Sequence, residues 1–135
     1  MTENIPAPQV WPSLRARDAQ KLIAFLVDAF GFEETAVFAD GATVHHAELA
    51  WPPGGGIMLG SAPADAANSP LAPGVFSAYA VTDDPDSLFE RAVAAGAVVE
   101  KAPYDTDYGS RQFIVADPEG NQWSFGTWRG EPRPA

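Results

Sequence analysis

The feature that most constrains this chain is a pair of predicted helices of equal length, one in each half of the sequence. The first runs from Asp18 to Gly31 and the second from Asp83 to Gly96. Aspartate suits a helix start because its carboxylate accepts hydrogen bonds from free N–H groups of the first turn. Glycine suits a helix end because it adopts the left-handed conformation without steric cost. The equal lengths predict a duplicated structural module.

Both predicted helices show apolar residues at helical spacing, which indicates one buried face in each. The second helix has Asp84 as its N-cap and Pro85 at the first helical position, where the missing N–H costs nothing. The apolar face of the first helix consists of Leu22, Phe25, Leu26, Ala29 and Phe30. That of the second consists of Leu88, Phe89, Ala92 and Val93.

A short extended segment precedes each helix and three more follow it, separated by turn-forming residues. The extended segments are Val10–Ala16, Phe32–Phe38, Thr43–Trp51 and Gly56–Leu59, then Val75–Val81, Val98–Lys101, Arg111–Ala116 and Gln122–Thr127. This order predicts an α+β fold of two tandem βαβββ modules with curved mixed sheets. We assign residues 1–66 to the first module, 67–73 to a linker, 74–130 to the second module and 131–135 to a tail.

A single βαβββ module leaves one face of its sheet uncovered, so two modules must pair. The pairing can occur within one chain or between two chains, and the sequence agrees with both. Curved sheets that pair in this way enclose a cavity, which predicts a small-molecule ligand.

The chain is strongly acidic, with 18 Asp and Glu against 8 Lys and Arg and a net charge of −10. Such a surface repels nucleic acid and anionic lipid and favours a cationic ligand, although acidic balance also serves solubility alone. The absence of cysteine excludes disulfides, zinc–thiolate sites and thiol nucleophiles. No apolar run reaches the roughly 20 residues of a membrane span, and residues 1–9 lack signal-peptide features. We therefore expect a cytoplasmic protein without nucleic-acid or membrane partners.

Several short motifs occur in a fixed order between Val10 and Trp128. They are Leu14–Asp18, Phe25–Phe32, Glu90–Ala97, Tyr108–Arg111 and the closing segment Asp117–Phe125. In this order and at these intervals, the chain resembles the vicinal oxygen chelate superfamily of glyoxalases, bleomycin-resistance proteins and dioxygenases. It is most similar to the PhnB-like and bleomycin-resistance-like members. The resemblance implies the same two-module fold and a dimeric assembly.

Enzymes of this superfamily typically hold one divalent metal with four inward His or Glu side chains. The resemblance carries these positions onto Trp11, Glu48, Ser77 (Phe76 if the register slips by one) and Ser124. Only Glu48 is a strong ligand, since serine hydroxyls coordinate such metals poorly and indole does not coordinate at all. We therefore expect no cofactor, or at most a divalent metal bound weakly at Glu48.

Two adjacent histidines lie on one predicted strand, and successive side chains on a strand point to opposite faces. This alternation predicts that His46 shares a face with Glu48 and Val44, while His45 shares the other face with Ala47. His46 and Glu48 are our candidate catalytic residues, because a His and a carboxylate on one face can act as an acid–base pair. The alternative is a polar pair that only lines the cavity or a sheet edge.

The remaining candidates are expected to bind the ligand. Trp11 is expected at the floor of an aromatic pocket, whereas Trp123 is expected in the core. Arg111 could clamp a ligand anion or tie its loop to Asp105 or Asp107. The full set of predicted ligand-binding residues is Trp11, Ser77, Tyr79, Tyr108, Arg111 and Ser124.

The leading functional hypothesis is a homodimeric, metal-independent protein that sequesters an aromatic or cationic small molecule. A second hypothesis is a glyoxalase-like lyase, isomerase or dioxygenase that uses Glu48, with or without metal. A third is a metal-free enzyme that transfers protons through His46 and Glu48. The ligand set discriminates among them, because three of the four expected metal positions carry no suitable ligand.

Overall fold

The computed structural model describes residues 5–65 and 72–134, and it confirms the predicted order of strand, helix and three strands in both halves. The strands are β1 Ser13–Ala16, β2 Glu33–Asp40, β3 Thr43–Ala50, β4 Gly56–Ser61, β5 Ser77–Val81, β6 Val98–Asp105, β7 Arg111–Ala116 and β8 Gln122–Gly126. The helices are α1 Ala19–Phe25, continued by a π-helical segment Leu26–Phe30, and α2 Pro85–Ala94. Most of the predicted linker 67–73 lies outside the described residues.

The strands form two sheets with the same internal order. The first sheet has the order β1-β4-β3-β2 and the second has the order β5-β8-β7-β6. In each, the strand before the helix runs parallel to the last strand of the module, and the other pairs are antiparallel. The matching topology confirms the two tandem modules.

The helix ends follow the sequence signals. Asp18 accepts a hydrogen bond from the backbone N–H of Lys21 at 3.1 Å, and Asp84 accepts one from Ser87 at 3.1 Å. Gly31 ends the first helix in the left-handed region with φ 88°. Neither helix within the described ranges is long and apolar enough to cross a membrane.

The buried faces of the two helices differ. All five predicted apolar residues of the first helix are buried, whereas in α2 only Ala92 of the predicted four is buried and Leu88 and Phe89 are half-buried. The prediction for Val93 was wrong, because this side chain is 43% exposed. α2 packs on the π-helical segment and on β6 and β7, and Val93 lies on the side that none of them covers.

One hydrophobic core joins the two modules on the helix-bearing sides of both sheets. The ring of Phe30, from the first module, lies 4.6 Å from that of Phe125 and 5.5 Å from that of Trp123 in the second. The guanidinium of Arg91 donates hydrogen bonds to the carbonyls of Val27 and Asp28, at the end of the first helix. The modules of one chain therefore meet through their helix sides.

A second contact between the modules lies at the start of the first helix. The carboxylate of Glu119, in the turn before β8, accepts hydrogen bonds from the backbone N–H groups of Arg17 at 2.7 Å and Asp18 at 3.0 Å. A carboxylate here stabilises the positive end of the helix as well as filling free donors. The turn Asp117–Gly120 thus fixes the second module against the first.

Candidate functional site

Because side chains alternate along a strand, each sheet has a second face that points away from the shared core. We call these the first and second outer faces. The first outer face, on the sheet β1–β4, carries Arg15, His46, Glu48 and Met58. The second outer face, on the sheet β5–β8, carries Ser77, Tyr79, Gln112 and Ser124. The predicted site residues therefore divide between two faces on opposite sides of the core.

His46 and Glu48 form a close pair on the first outer face. His46 Nε2 lies 2.8 Å from Glu48 Oε2, with 39% and 29% of the two side chains exposed. The ring of Phe38, on β2, stacks on that of His46 with 6.2 Å between centroids. The pair has the distance needed to share a proton, and solvent reaches it. The contact predicted from the two-residue spacing is present.

The prediction for the neighbouring residues was wrong because β3 contains a bulge. Phe38 pairs with His46 but Ala39 pairs with Val44, so the register skips His45. A bulge shifts the alternation by one residue. Val44 consequently lies in the core with Ala47, whereas His45 is exposed.

All three tyrosines of the chain meet on the second outer face. Gln112 lies between two of them: its Nε2 donates to the hydroxyl of Tyr104 at 2.6 Å, and its Oε1 accepts from the hydroxyl of Tyr108 at 3.2 Å. The hydroxyl of Tyr79 donates to the backbone carbonyl of Trp128 at 2.6 Å. Sequence reasoning found Tyr79 and Tyr108 but missed Tyr104 and Gln112. The alternation of Gln112 with buried Phe113 was the available signal.

A glycine makes this convergence possible. A Cβ at Gly126 would lie 2.8 Å from the hydroxyl oxygen of Tyr79 and 2.9 Å from Cβ of Gln112. Burial raises the pKa of the Tyr79 phenol, and its hydroxyl donates a hydrogen bond to the carbonyl of Trp128. Any larger residue at Gly126 would push the tyrosine and the glutamine apart.

The aromatic surface is open to solvent. Tyr79, Tyr108 and Trp128 are 42%, 57% and 40% exposed, and the rings of Tyr108 and Trp128 meet edge to face at 6.0 Å. Ser124 pairs with Tyr79 across β5 and β8, and Ser77 is exposed at the start of β5. We call the surface formed by Tyr79, Tyr104, Tyr108, Gln112 and Trp128 the tyrosine cluster.

Arg111 is held by carboxylates. Its Nε and Nη2 donate to the two oxygens of Asp86 at 2.7 and 2.9 Å, and its Nη1 donates to Asp105 at 3.3 Å. These hydrogen bonds hold the pKa of the Asp86 carboxyl below its usual value. Of the two alternatives for Arg111, the structure shows the tie to its own loop, with Asp86 of α2 as an additional partner.

Trp11 lies beside an apolar crevice that is lined by its neighbours Val10 and Pro12. Its Nε1 donates to the carbonyl of Pro8 at 3.0 Å, and its ring covers Gly56, where a Cβ would lie 2.9 Å from it. The crevice, with a volume of about 460 Å³, lies between the two modules. Its lining includes Val10, Pro12, Trp51, Ala78, Ala80 and Trp123. Its walls are largely apolar, unlike the two outer faces.

The residues present do not fit the metal of the superfamily enzymes. Within 5–65 and 72–134, no three His, Asp or Glu side chains converge. Trp11 precedes β1 and Glu48 lies on β3, both in the first module, whereas Ser77 and Ser124 lie on β5 and β8 of the second sheet. The four positions therefore do not meet within one chain.

The two-module topology agrees with the sequence comparison. A sequence model of the Glyoxalase/Bleomycin resistance protein/Dioxygenase superfamily matches residues 9–125. The chain therefore belongs to this superfamily. Its position in the PhnB-like branch stays a prediction.

Three proteins are similar to this chain over most of its length. An uncharacterised protein of Mycobacterium bovis is 34% identical over 127 residues, which is 88% of this chain and 82% of the relative. The crystal structure of TioX from Micromonospora sp. ML1 has a TM-score of 0.73 at 28% identity, covering 89% of this chain and 98% of TioX. TnmS3, an antibiotic binding protein from Streptomyces sp. CB03234, has a TM-score of 0.68 at 25% identity, covering 92% and 97%.

Proposed function

We propose that this chain is a small-molecule-binding protein that sequesters a planar aromatic cation, without a metal. The observation that carries the proposal is the tyrosine cluster, an exposed aromatic surface with ordered hydrogen bonds. The similarity to TnmS3, an antibiotic binding protein, supports the same class of function.

The tyrosine cluster suits a flat ligand because its rings are fixed before binding. Gln112 bridges Tyr104 and Tyr108, and the backbone of Trp128 holds Tyr79. A preorganised surface loses little side-chain entropy when the ligand binds. Aromatic rings in offset or edge-to-face contact contribute about 0.5–1.5 kcal/mol per pair beyond buried area.

Charge favours a cation over an anion at this surface. The chain has a net charge of −10, and Glu48 places a carboxylate on the first outer face. A lysine of the chain itself already contacts the tyrosine cluster, because Nζ of Lys101 lies 3.7 Å from the centroid of the Tyr104 ring. Cations are attracted to the electron-rich faces of such rings.

The site is complete only in a homodimer. A drug-sized ligand usually has about 70–90% of its surface buried, which one open sheet face does not provide. The outer faces of one chain lie on opposite sides of the shared core. Among the described strands, β1 and β5, like β2 and β6, each pair with a single strand and lie at a sheet edge. A second copy related by two-fold symmetry would place its first outer face, with His46 and Glu48, over the tyrosine cluster.

The test is a titration of the purified protein with acriflavine, a planar aromatic cation, followed by the dye's fluorescence anisotropy. We expect saturable binding that is weakened at least tenfold by Tyr108→Ala. Val93→Ala, an exposed apolar change on α2, is the matched control and should leave binding unchanged. Anilinonaphthalene sulfonate, an aromatic anion, should bind more weakly than acriflavine. Equal affinity for both dyes would contradict the charge argument.

A second pair of variants distinguishes the tyrosine cluster from the apolar crevice. Ala80→Leu fills the crevice, because Ala80 is one of its lining residues, and it leaves the tyrosine cluster in place. If Ala80→Leu abolishes acriflavine binding while Tyr108→Ala preserves it, the ligand lies in the crevice and our placement is wrong.

One observation favours an enzyme as the second candidate: the 2.8 Å contact between His46 and Glu48 on a solvent-reached face. Such a pair can move a proton at a carbon next to a carbonyl, as a glyoxalase-like lyase or isomerase requires. Turnover of the methylglyoxal–glutathione hemithioacetal, lost in Glu48→Gln and kept in Glu100→Gln, would support this candidate. The absence of turnover would leave the binding function as the better account.

A further inference from the structure

A second cavity lies at the end of the first sheet, away from the tyrosine cluster. It forms where β1 and β4 end and β3 begins, and its volume is about 450 Å³. Its lining includes Arg15, Thr43, Val44, His45, Ser61 and Pro63. Neither the tyrosine cluster nor the His46–Glu48 pair includes any of these residues.

The charge of this cavity is opposite to that of the chain. Acidic residues outnumber basic ones 18 to 8, yet none of those within 5–65 and 72–134 lines the cavity. Within the described ranges, Arg17, Arg111 and Arg129 each form an ion pair with a carboxylate, whereas Arg15 forms none. The cavity thus presents a guanidinium and an imidazole without a neighbouring anion.

The backbone around the cavity is arranged to hold Arg15 in it. Nη1 of Arg15 lies 2.7 Å from the position that a Cβ of Gly60 would occupy, so a side chain at Gly60 would push the guanidinium aside. Ser61 Oγ accepts a hydrogen bond from the Val44 N–H at 2.8 Å, which fixes the oxygen and leaves its proton available to a ligand. The bulge at His45 turns that side chain outward at the cavity.

We propose that this cavity binds a small organic carboxylate. The guanidinium of Arg15 matches the two oxygens of a carboxylate, and charge-assisted hydrogen bonds of this kind are about twice as strong as neutral ones. The hydroxyl of Ser61 supplies a further donor, and Ala62 and Pro63 contact the hydrocarbon part. Inorganic phosphate has the same charge chemistry, but the apolar part of the lining favours the organic acid.

The experiment follows the Arg15 Nε–Hε resonance and the Val44 backbone amide resonance of the full chain by NMR during titration with sodium benzoate, and the amide still reports binding when Arg15 is replaced. We expect a saturable shift, with benzoate affinity lowered at least tenfold in Arg15→Gln. Arg133→Gln removes the same charge from an exposed position and should leave benzoate affinity unchanged. Equal affinity losses in the two variants would show a general charge effect and overturn the proposal.

Gly60→Ala tests the geometry without removing charge. The new methyl group displaces the Arg15 guanidinium, because the two would lie 2.7 Å apart, and benzoate affinity should fall as in Arg15→Gln. Unchanged affinity in a folded Gly60→Ala protein would overturn the proposal. A titration with phosphate distinguishes the two anions. If phosphate binds more tightly than benzoate and the binding depends on Arg15, the ligand is a phosphate and not a carboxylate. Far-ultraviolet circular dichroism should show that all three variants are folded, so that a lower benzoate affinity reports on the cavity.

Discussion

Truncation of Trp123 tests how the second module is stabilised. Its side chain is 1% exposed, and its ring lies 5.5–5.6 Å from those of Phe30, Phe32 and Phe76. Replacing a buried aromatic residue by alanine costs about 3–5 kcal/mol. Two of the three neighbouring rings belong to the first module, so Trp123→Ala should destabilise the whole chain rather than one half.

The indole also has a polar role. Its Nε1 donates to the buried carboxylate of Asp117 at 2.9 Å, beside donors from Asn121 and Glu119. A hydrogen bond to a charged group contributes about 1.5–3 kcal/mol. Trp123→Phe keeps most of the packing and removes this donor. It should lower the free energy of unfolding by about 1.5 kcal/mol, the lower end of this range, because Asp117 retains its other donors.

The assay is urea denaturation followed by far-ultraviolet circular dichroism, which does not depend on tryptophan fluorescence. Trp11→Ala is the comparison, because Trp11 is half-buried outside the core, and it should cost about 1 kcal/mol, an ordinary value for a substitution. Trp11 lies outside the tyrosine cluster, so Trp11→Ala should leave acriflavine binding unchanged; weaker binding would place the ligand in the crevice instead. Equal decreases in the free energy of unfolding for Trp11→Ala and Trp123→Ala would refute this reasoning. A decrease for Trp123→Phe as large as that for Trp123→Ala would refute it as well.

Three further predictions use other features of the molecule. Light scattering at micromolar concentration should give twice the 14.3 kDa chain mass; a single-chain mass would contradict the homodimer. Arg111 lowers the folded-state pKa of Asp86. The contribution of this ion pair to the free energy of unfolding should therefore be complete above the ordinary carboxyl pKa of about 4. It should then be lost as the pH falls through the lowered pKa, and Asp86→Asn should remove that part of the pH dependence in urea denaturation. Protein purified without chelator should contain no stoichiometric divalent metal; metal that is lost in Glu48→Ala would favour the enzyme candidate.

The sequence by itself determined the module order, the helix caps and most strand positions. Asp18, Gly31 and Pro85 act on backbone groups within one helical turn, so their effect is readable from the neighbouring residues. β7 was placed at its observed bounds because alternation along a strand is likewise local. The contact of His46 with Glu48 was predictable for the same reason, because two residues spaced by two on a strand share one face.

Only the tertiary structure decided which residues meet across strands and modules. The bulge at His45 depends on how β3 pairs with β2, and a single skipped residue moved Val44 into the core. Arg111 pairs with Asp86 on α2, 25 positions earlier in the chain, and the residues around Arg111 do not indicate this partner. The tyrosine cluster likewise depends on the register of β5, β7 and β8. Register and packing are set by the combined burial of many distant side chains, which no local pattern contains.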